Sequence, residues 1–396
     1  MTGSMAESSN AEDAAARTIL IQFAKGQNDW QEKPNKMRDS VSAIVPWDEC
    51  LWVASDQTAT VERLVADNPQ GPTEYGDHRS FRLIDFVPLP ERGVGNPDQE
   101  VDLEGIDIQR FGPDGPAGYL WLVGSHSHAR KKVDEDASSA VGIGALASVS
   151  LDRNRCALIR IPVIRHPGEL PELVSTCPDP RDPTSALTAG LLGDLLPAIA
   201  ADEHLRLFFV QQGDGAIKGV PGKDNGLDIE GLAVSGDKIF LGLRGPVLRG
   251  WSVILQLEIE PSPGAGELRL RNTADSPVFR KYFVQLGGLG VRDLLVDGED
   301  LLILAGPTMD LDNPVRIHRW TGGATGTGEE LVRAERLPVV RTLRTADNIE
   351  MGRDHPEGFT RLATADGPRL LVAHDSPADS RIQTKGAVRI DSLRWP

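Results

Sequence analysis

The stretch "EGLAVSGDKIFLGLRGP", residues 230–246, has the pattern of a β-hairpin. A charged residue and a glycine precede a short apolar strand, a Gly-Asp turn follows, and a second apolar strand ends the stretch. The same pattern recurs in four further segments, which begin at Arg38, Glu104, Arg292 and Glu357. Recurrence of one such unit is typical of repeat folds, so the sequence predicts hairpins of a single design.

Each hairpin is followed by two more strand-like runs, except the last, which is followed only by "GAVRIDSLRW" (386–395). The run "TILIQFA" (18–24), ahead of the first hairpin, can supply the missing strand. The sequence therefore predicts one all-β domain over residues 17–396, a closed β-propeller of five four-stranded blades. Six blades are the alternative, because the interval from Glu104 to Glu230 is about twice the others.

Three segments lie outside this repeat. Residues 1–16 are expected to form a disordered tail, and residues 129–150 an inserted segment that is charged and then rich in small residues. Residues 184–204 are predicted to form a helical insertion, capped by Thr184 or Ser185 and apolar along a leucine face. The run "LRLFFVQ" (205–211) is then expected to be a strand of the second blade.

The composition excludes several classes of partner. The chain has 396 residues and a formal net charge of −16, which opposes binding to nucleic acid and to anionic membranes. Its three cysteines fit neither a disulfide framework nor a metal knuckle. The polar N-terminus resembles no signal peptide, and no run reaches the ~18 apolar residues of a membrane span. We expect a cytoplasmic protein whose partner is a small molecule or another protein.

The propeller prediction brings the conspicuous polar residues to one mouth of the central channel, because inner strands begin there and second strands return there. The inner strands contribute a first set, Arg38, Glu104, Glu230, Arg292 and Glu357. The second strands contribute another, Asp56, Ser125, His126, Arg244, His374 and Asp375. The glycines that follow the three glutamates are expected where crowding near the axis leaves no room for a side chain.

This arrangement supports several hypotheses. Around the ring each glutamate has an arginine in a neighbouring blade, so mutual ion pairs could form a structural plug in a non-catalytic scaffold that binds protein. Alternatively, Arg38, Arg244 and Arg292 would hold a small anionic or phosphorylated ligand, together with Asp56, His374 and Asp375. Hydrolysis of a phosphoester or a related bond would then use Glu104, Glu230, Glu357 or His126 as general acid or base.

A metal site is a further hypothesis for the same mouth. Glu104, Glu230 and Glu357 could hold a divalent cation, and Ca²⁺ is the cation that prefers several oxygen ligands. Carboxylates that face each other across the channel would also suit glycoside hydrolysis.

Several strings of the sequence resemble a bacterial family known as domain of unknown function 3616. They are "LWVASDQTATVERL", "LEGIDI", "LWLVGSHS", "GLDIEGLAV" and "LGLRGPVLRGW", and the resemblance runs from about residue 35 to the end. It implies no specific activity. The blades that begin with Glu-Gly are also distantly similar to phytase-like, calcium-dependent hydrolase propellers. That likeness implies a metal at the mouth, although Arg38 and Arg292 stand where those proteins have acidic or amide residues.

Overall fold

The computed structural model describes residues 16–24, 36–91, 100–112, 115–134, 136–211, 216–264, 266–271, 278–309, 314–343, 353–384 and 386–396. The predicted tail, residues 1–16, falls almost wholly outside them. The described chain is all-β, with three short α-helices, Lys36–Asp39, Ser139–Ala147 and Leu195–Ala201. None of its helices has the length and apolar character needed to cross a membrane.

Most strands belong to five antiparallel units of four strands, which we number along the chain. Unit 1 contains Val41–Trp47, Cys50–Ser55, Thr60–Ala66 and Glu74–Arg82. Unit 2 contains Leu103–Arg110, Ala117–Gly124, Leu158–Ile164 and Gly190–Leu192. Unit 3 contains Asp228–Ser235, Lys238–Gly245, Ser252–Leu257 and Arg280–Val284. Unit 4 contains Gly290–Asp297, Asp300–Gly306, Val315–Trp320 and Val339–Leu343. Unit 5 contains His355–Leu362, Arg369–Asp375, Ala387–Arg394 and the N-terminal strand Arg17–Gln22.

The N-terminal strand occupies the position that the sequence predicts. It pairs antiparallel with Ala387–Arg394 and also, in parallel, with the outer strand of unit 1 through Leu20 and Ile21. The side chain of Ile21 is fully buried. One short strand therefore links the last unit to the first.

The first strand of each unit, which we call the inner strand, packs against the inner strands of the two neighbouring units, and that of unit 5 packs against that of unit 1. Buried apolar side chains form five clusters, one at each contact between neighbouring units. The hydrophobic core thus lies between the units, and burying it requires each unit to have two neighbours.

Glycines mark the places where inner strands approach most closely, as the sequence predicts. A Cβ atom built on Gly358 would lie 2.7 Å from the carbonyl oxygen of Ser42, and one on Gly105 would lie 3.0 Å from that of Glu230. Unit 4 has Asp293 at the equivalent position, and its carboxylate accepts a hydrogen bond from the backbone N–H of Phe359 at 2.9 Å. Backbone contacts of this kind set the spacing of the inner strands.

The predicted helical insertion is wrong over most of its length. Asp182–Thr188 forms a strand paired with Thr176–Asp179, and Gly190–Leu192 is the fourth strand of unit 2. Only Leu195–Ala201 is helical, and Pro197 lies in its first turn, where a proline costs no hydrogen bond. Leucine-rich runs of this length satisfy a helical and a strand pattern equally well.

The run 205–211 is not the fourth strand of unit 2 either. Phe209–Gln211 pairs instead with Ile217–Gly219 in a separate hairpin. The inserted segment 129–150 contains a two-residue strand pair, Ala129–Arg130 with Val149–Ser150, and the helix Ser139–Ala147 between them. The described residues between units 2 and 3 form no further four-stranded unit.

The close approach at Gly358 gives a first prediction. Gly358→Ala should lower the free energy of unfolding by about 1–3 kcal/mol, because its methyl group would displace the backbone of unit 1. Gly71→Ala is the control, since no atom lies within 4 Å of its Cβ position, and it should change stability by less than about 0.5 kcal/mol. Chemical denaturation measures both, and equal effects would contradict the role of Gly358.

Candidate functional site

One residue of each inner strand falls out of register with the second strand of its unit. The hydrogen-bonded pairing skips this residue at the same point of all five units. The five skipped residues are Ser42, Glu104, Glu230, Arg292 and Glu357. They are therefore structurally equivalent, and four of them belong to the set predicted for the mouth.

Arg38 is not equivalent to the other members of that set. It lies in the helix Lys36–Asp39, four residues before Ser42, and its guanidinium Nε donates to Asp39 at 2.6 Å. A second nitrogen donates to the carbonyl oxygen of Thr384 at 3.0 Å. The prediction that Arg38 lies on the ligand site is corrected, because the first strand begins only at Val41.

A buried chain of ion pairs runs through three of the equivalent residues. Arg244 Nη1 lies 2.7 Å from Glu230 Oε1, and Arg292 Nε lies 3.0 Å from Glu230 Oε2. Arg292 also contacts Glu357 in unit 5. Arg244 further lies 3.7 Å from Asp228 and donates to the carbonyl of Thr308 at 3.0 Å. Both arginines are therefore occupied by protein groups.

A cavity of about 530 Å³ opens beside this chain. Its buried side, which we call the floor, carries mainly carboxyl groups, from Asp56, Asp102, Glu104, Asp228, Glu230, Glu357 and Asp375, with Arg155 and Arg244 among them. Its exposed side, which we call the rim, carries Arg130, Lys131, Lys132, Lys223 and Asp224. Charge is therefore divided, with acids inside and cations at the entrance.

Glu104 differs from the other floor glutamates in having no hydrogen bond or close ion pair in the described structure, although it interacts electrostatically with Arg244 and Arg292. Its carboxyl group makes no hydrogen bond or ion pair with any residue that the structure describes, although the group lines the cavity. Desolvation raises the pKa of Glu104 well above its usual range, and the carboxylates of Asp102, Glu230 and Asp56 add to the effect. Burial therefore favours the protonated form of Glu104, which is the form that can donate a proton.

The floor aspartates are also perturbed by burial. Desolvation and the neighbouring Asp375 raise the pKa of Asp56 well above its usual range, and the buried Oδ1 of Asp56 has no hydrogen-bond partner among the described residues. Desolvation raises the pKa of Asp228 to about 7, against the opposing effect of Arg244. Asp102 is paired with Arg155 at 3.2 Å, yet burial still raises its pKa.

The two histidines predicted for the mouth do not line the cavity. His126 is fully buried at a turn with φ 55°, and its Nδ1 lies 2.8 Å from the carbonyl oxygen of Gly124. His374 contacts Arg381 at 3.1 Å on the inner side of unit 5. Desolvation lowers the pKa of each imidazole to about 4, so both are neutral at physiological pH. Neither is placed to act as an acid or base on a ligand in the cavity.

The sequence analysis missed several residues that line the cavity. Asp102 and Asp228 each stand two positions before a floor glutamate, in "DLEG" and "DIEG", and this shared word was an available signal. Arg155, Lys223 and His128 come from loops whose approach to the cavity no local pattern indicates.

A protein-family model matches most of the chain. The family model described as a protein of unknown function (DUF3616) matches residues 40–391. The chain belongs to this family. No curated protein matches it.

Solved structures resemble the chain only distantly. An α-L-arabinofuranosidase from Lactobacillus brevis shares 11% identity over 91% of this chain and 95% of its own, with a TM-score of 0.39. A GH43 β-1,3-galactosidase bound to galactodeoxynojirimycin shares 9% identity over 90% of this chain and 91% of its own, also with a TM-score of 0.39. No functional conclusion follows from likenesses this low.

The calcium hypothesis stays a prediction for this member of the family. Among the residues that the structure describes, no three His, Cys, Asp or Glu side chains are grouped to hold a metal ion. Arg292 contacts both Glu230 and Glu357, two of the three predicted ligands, and so supplies positive charge where a cation would have to bind.

The difference between Glu230 and Glu104 can be tested with one substitution at two equivalent positions. Glu230→Gln should lower the free energy of unfolding by about 3–5 kcal/mol, because it leaves two buried arginines without their shared carboxylate. Glu104→Gln should not destabilise the protein, since Glu104 has no ion pair to lose. Urea denaturation at pH 7 measures both, and equal losses would contradict the assignment of partners.

The pKa of Glu104 gives a further prediction. A carboxyl group whose pKa is raised by folding stabilises the folded state at pH values below its unfolded pKa, and this stability is lost as pH rises through the folded pKa. Glu104→Gln removes this dependence. The variant should match the wild type in stability near pH 4 and become the more stable of the two as pH rises towards 8. Stability curves that stay parallel from pH 4 to 8 would contradict the raised pKa.

Proposed function

We propose that the chain forms a closed five-bladed β-propeller whose cavity binds a small hydroxylated, anionic compound and hydrolyses a glycosidic C–O bond in it. The cyclic packing of the inner strands and the N-terminal strand in unit 5 support the closed propeller. The proposed activity rests on Glu104, whose carboxyl group lies on the cavity floor without an ion pair to any described residue and has a raised pKa.

The floor supplies two kinds of carboxyl group, as acid-catalysed hydrolysis requires. Glu104 has a raised pKa and can protonate the leaving oxygen as the C–O bond breaks. Glu230 is the negative member of ion pairs with Arg244 and Arg292. That negative charge can stabilise the positive charge that develops on the sugar carbon, before a water molecule adds its oxygen there and passes its proton to Glu104, which restores the acid. Neighbouring carboxyl groups with opposed environments are the usual source of acid and base roles.

The remaining floor groups favour a ligand rich in hydroxyl groups. The oxygens of buried carboxyl groups can accept hydrogen bonds from the O–H groups of a sugar. Asp56 Oδ1 has no partner among the described residues, so it can accept such a bond without losing an existing one.

The rim accounts for the anionic part of the ligand. Arg244 and Arg292, predicted to hold the anion, are already paired with Glu230 and Glu357, so we assign the anion to the rim instead. Lys131, Lys132 and Lys223 are exposed at the entrance, and none forms an ion pair with a described residue. These lysines are the groups that would contact a phosphate or carboxylate on the ligand.

Turnover of aryl glycosides tests the proposal. The wild type should release nitrophenol from at least one member of a panel of gluco-, galacto- and manno-configured nitrophenyl glycosides, carried as uronic acids and 6-phosphates. Glu104→Gln should lower kcat about 10²- to 10⁴-fold on the corresponding methyl glycosides, because their poor leaving group needs a proton donor, and should lower it less on the nitrophenyl glycosides. Glu329→Gln, an exposed glutamate remote from the cavity lining, is the control and should keep full activity.

A second outcome of this test has its own support. The ion pairs of Arg244, Glu230, Arg292 and Glu357 suit a structural plug, as in the scaffold hypothesis. Absence of turnover across the panel, with no binding to Glu104→Gln protein, would overturn the hydrolase proposal and leave a protein-binding scaffold.

A further inference from the structure

Exposed apolar side chains are concentrated in two segments of the chain. Ten large apolar residues are exposed in the described structure, and seven of them lie between 133 and 146 or between 207 and 220. The seven are Val133, Val141, Ile143, Leu146, Leu207, Val210 and Val220. Exposed apolar residues that are scattered singly need no explanation, but a concentration of this kind marks a binding surface.

The first segment and the residues that follow the second, Gly222–Asp224, lie at the rim of the cavity. The backbone N–H of Gly222 donates to the carbonyl of His128 at 3.0 Å, and Gly219 donates to the imidazole of His128, also at 3.0 Å. Arg130 lies 2.5 Å from Asp224. The stem of the first segment is therefore joined to the second at the cavity entrance.

The helix Ser139–Ala147 has no charged residue, and it buries only two small residues, Gly142 and Ala145. Its larger side chains face outward, with Val141 62% exposed, Ile143 67% and Leu146 52%. A helix with apolar residues on all sides is normally covered, and one of nine residues is marginal in water by itself. We therefore expect an apolar group to cover the exposed side of this helix.

One end of this helix forms part of the cavity wall. Leu146 and Val133 belong to the cavity lining, beside the lysines of the rim. A path outward from the floor thus meets carboxyl groups first and then, at the exposed side, Lys131, Lys132 and Leu146. Ile143 lies one helical turn before Leu146 on the same face of the helix. These surfaces specify hydroxyl groups inside the cavity, with an anionic group and an aliphatic group at its entrance.

We infer that the ligand is amphiphilic: a hydroxylated head on the floor, an anionic group at the rim lysines, and an aliphatic chain along the helix Ser139–Ala147. This inference rests on the proposed function, because it places the reacting bond at Glu104 and extends the same ligand outward. The continuity between cavity wall and helix favours a chain on the ligand over a separate protein partner.

Binding of homologous n-alkyl glycosides tests the inference. The probes are the n-alkyl uronides, from methyl to octyl, of the sugars used in the turnover panel, each kept below its micelle concentration. They are titrated calorimetrically into Glu104→Gln protein, so that no turnover occurs. Affinity should rise about two- to fourfold for each added methylene that is buried. The heat capacity change of binding should become more negative with chain length.

Leu146→Asn tests where the aliphatic chain lies. This substitution, made in the Glu104→Gln background, keeps the side-chain size while removing the apolar surface, so it should flatten the dependence of affinity on chain length. Leu331→Asn is the matched control, since Leu331 is similarly exposed, at 45%, but lies outside the cavity lining. It should keep the full chain-length dependence.

Three negative results are possible, and each overturns a different part of the proposals. Binding of the methyl compound with no gain from longer chains would overturn the amphiphilic ligand and leave the proposed function standing. A chain-length gain that survives Leu146→Asn would also overturn the placement along the helix. If no compound binds, both proposals fall.

Discussion

The close approach of the five inner strands is the constraint on which the site depends. Where Gly105 and Gly358 lie, the backbone of the neighbouring unit leaves no room for a side chain. The residue before each of these glycines falls out of register with its second strand, and this geometry places a polar side chain at one end of the axis. In unit 4 the carboxylate of Asp293 joins the inner strands of units 4 and 5 instead, by accepting a backbone hydrogen bond from Phe359. The close approach of the inner strands therefore both holds the units together and places the charged residues of the site.

Burial of so many carboxyl groups has a cost, and the protein offsets only part of it. Arg244 and Arg292 stabilise Glu230, and Arg155 stabilises Asp102. Glu104 and Asp56 have no such partner in the described structure, and desolvation raises the pKa of both. Unpaired buried carboxyl groups destabilise a fold, so they are typically found where a ligand or a reaction uses them. Glu230 has ion pairs that support a structural role. Glu104 has none with any described residue, so a structural role does not explain its burial.

The repeat was predictable from the sequence because strand periodicity and Glu-Gly spacing are local signals. The position of Arg38, four residues before the equivalent residue Ser42, was not predictable. The pair Arg38-Asp39 matches Arg292-Asp293 in sequence but folds into a helical turn. Gly190–Leu192 was missed because three residues are too few to show a strand period. His126 was misplaced because a backbone with φ 55° turns its side chain away from the direction that an extended strand would give. The cavity itself could not be predicted, because its rim comes from loops that meet only in the folded chain.

Repetition alone would give a symmetric mouth, and a symmetric mouth would bind a ligand in no preferred orientation. The departures from symmetry are what make the cavity specific. Ser42 and Arg292 interrupt the series of glutamates, so the free carboxyl group is confined to unit 2. The segments around His128 and Gly222 rise beside that same unit and bring the rim cations to it. Floor residues belong to the packing of the inner strands, so changing them affects both stability and binding. Rim residues lie outside that packing, and the chain can therefore vary its ligand there without altering the fold.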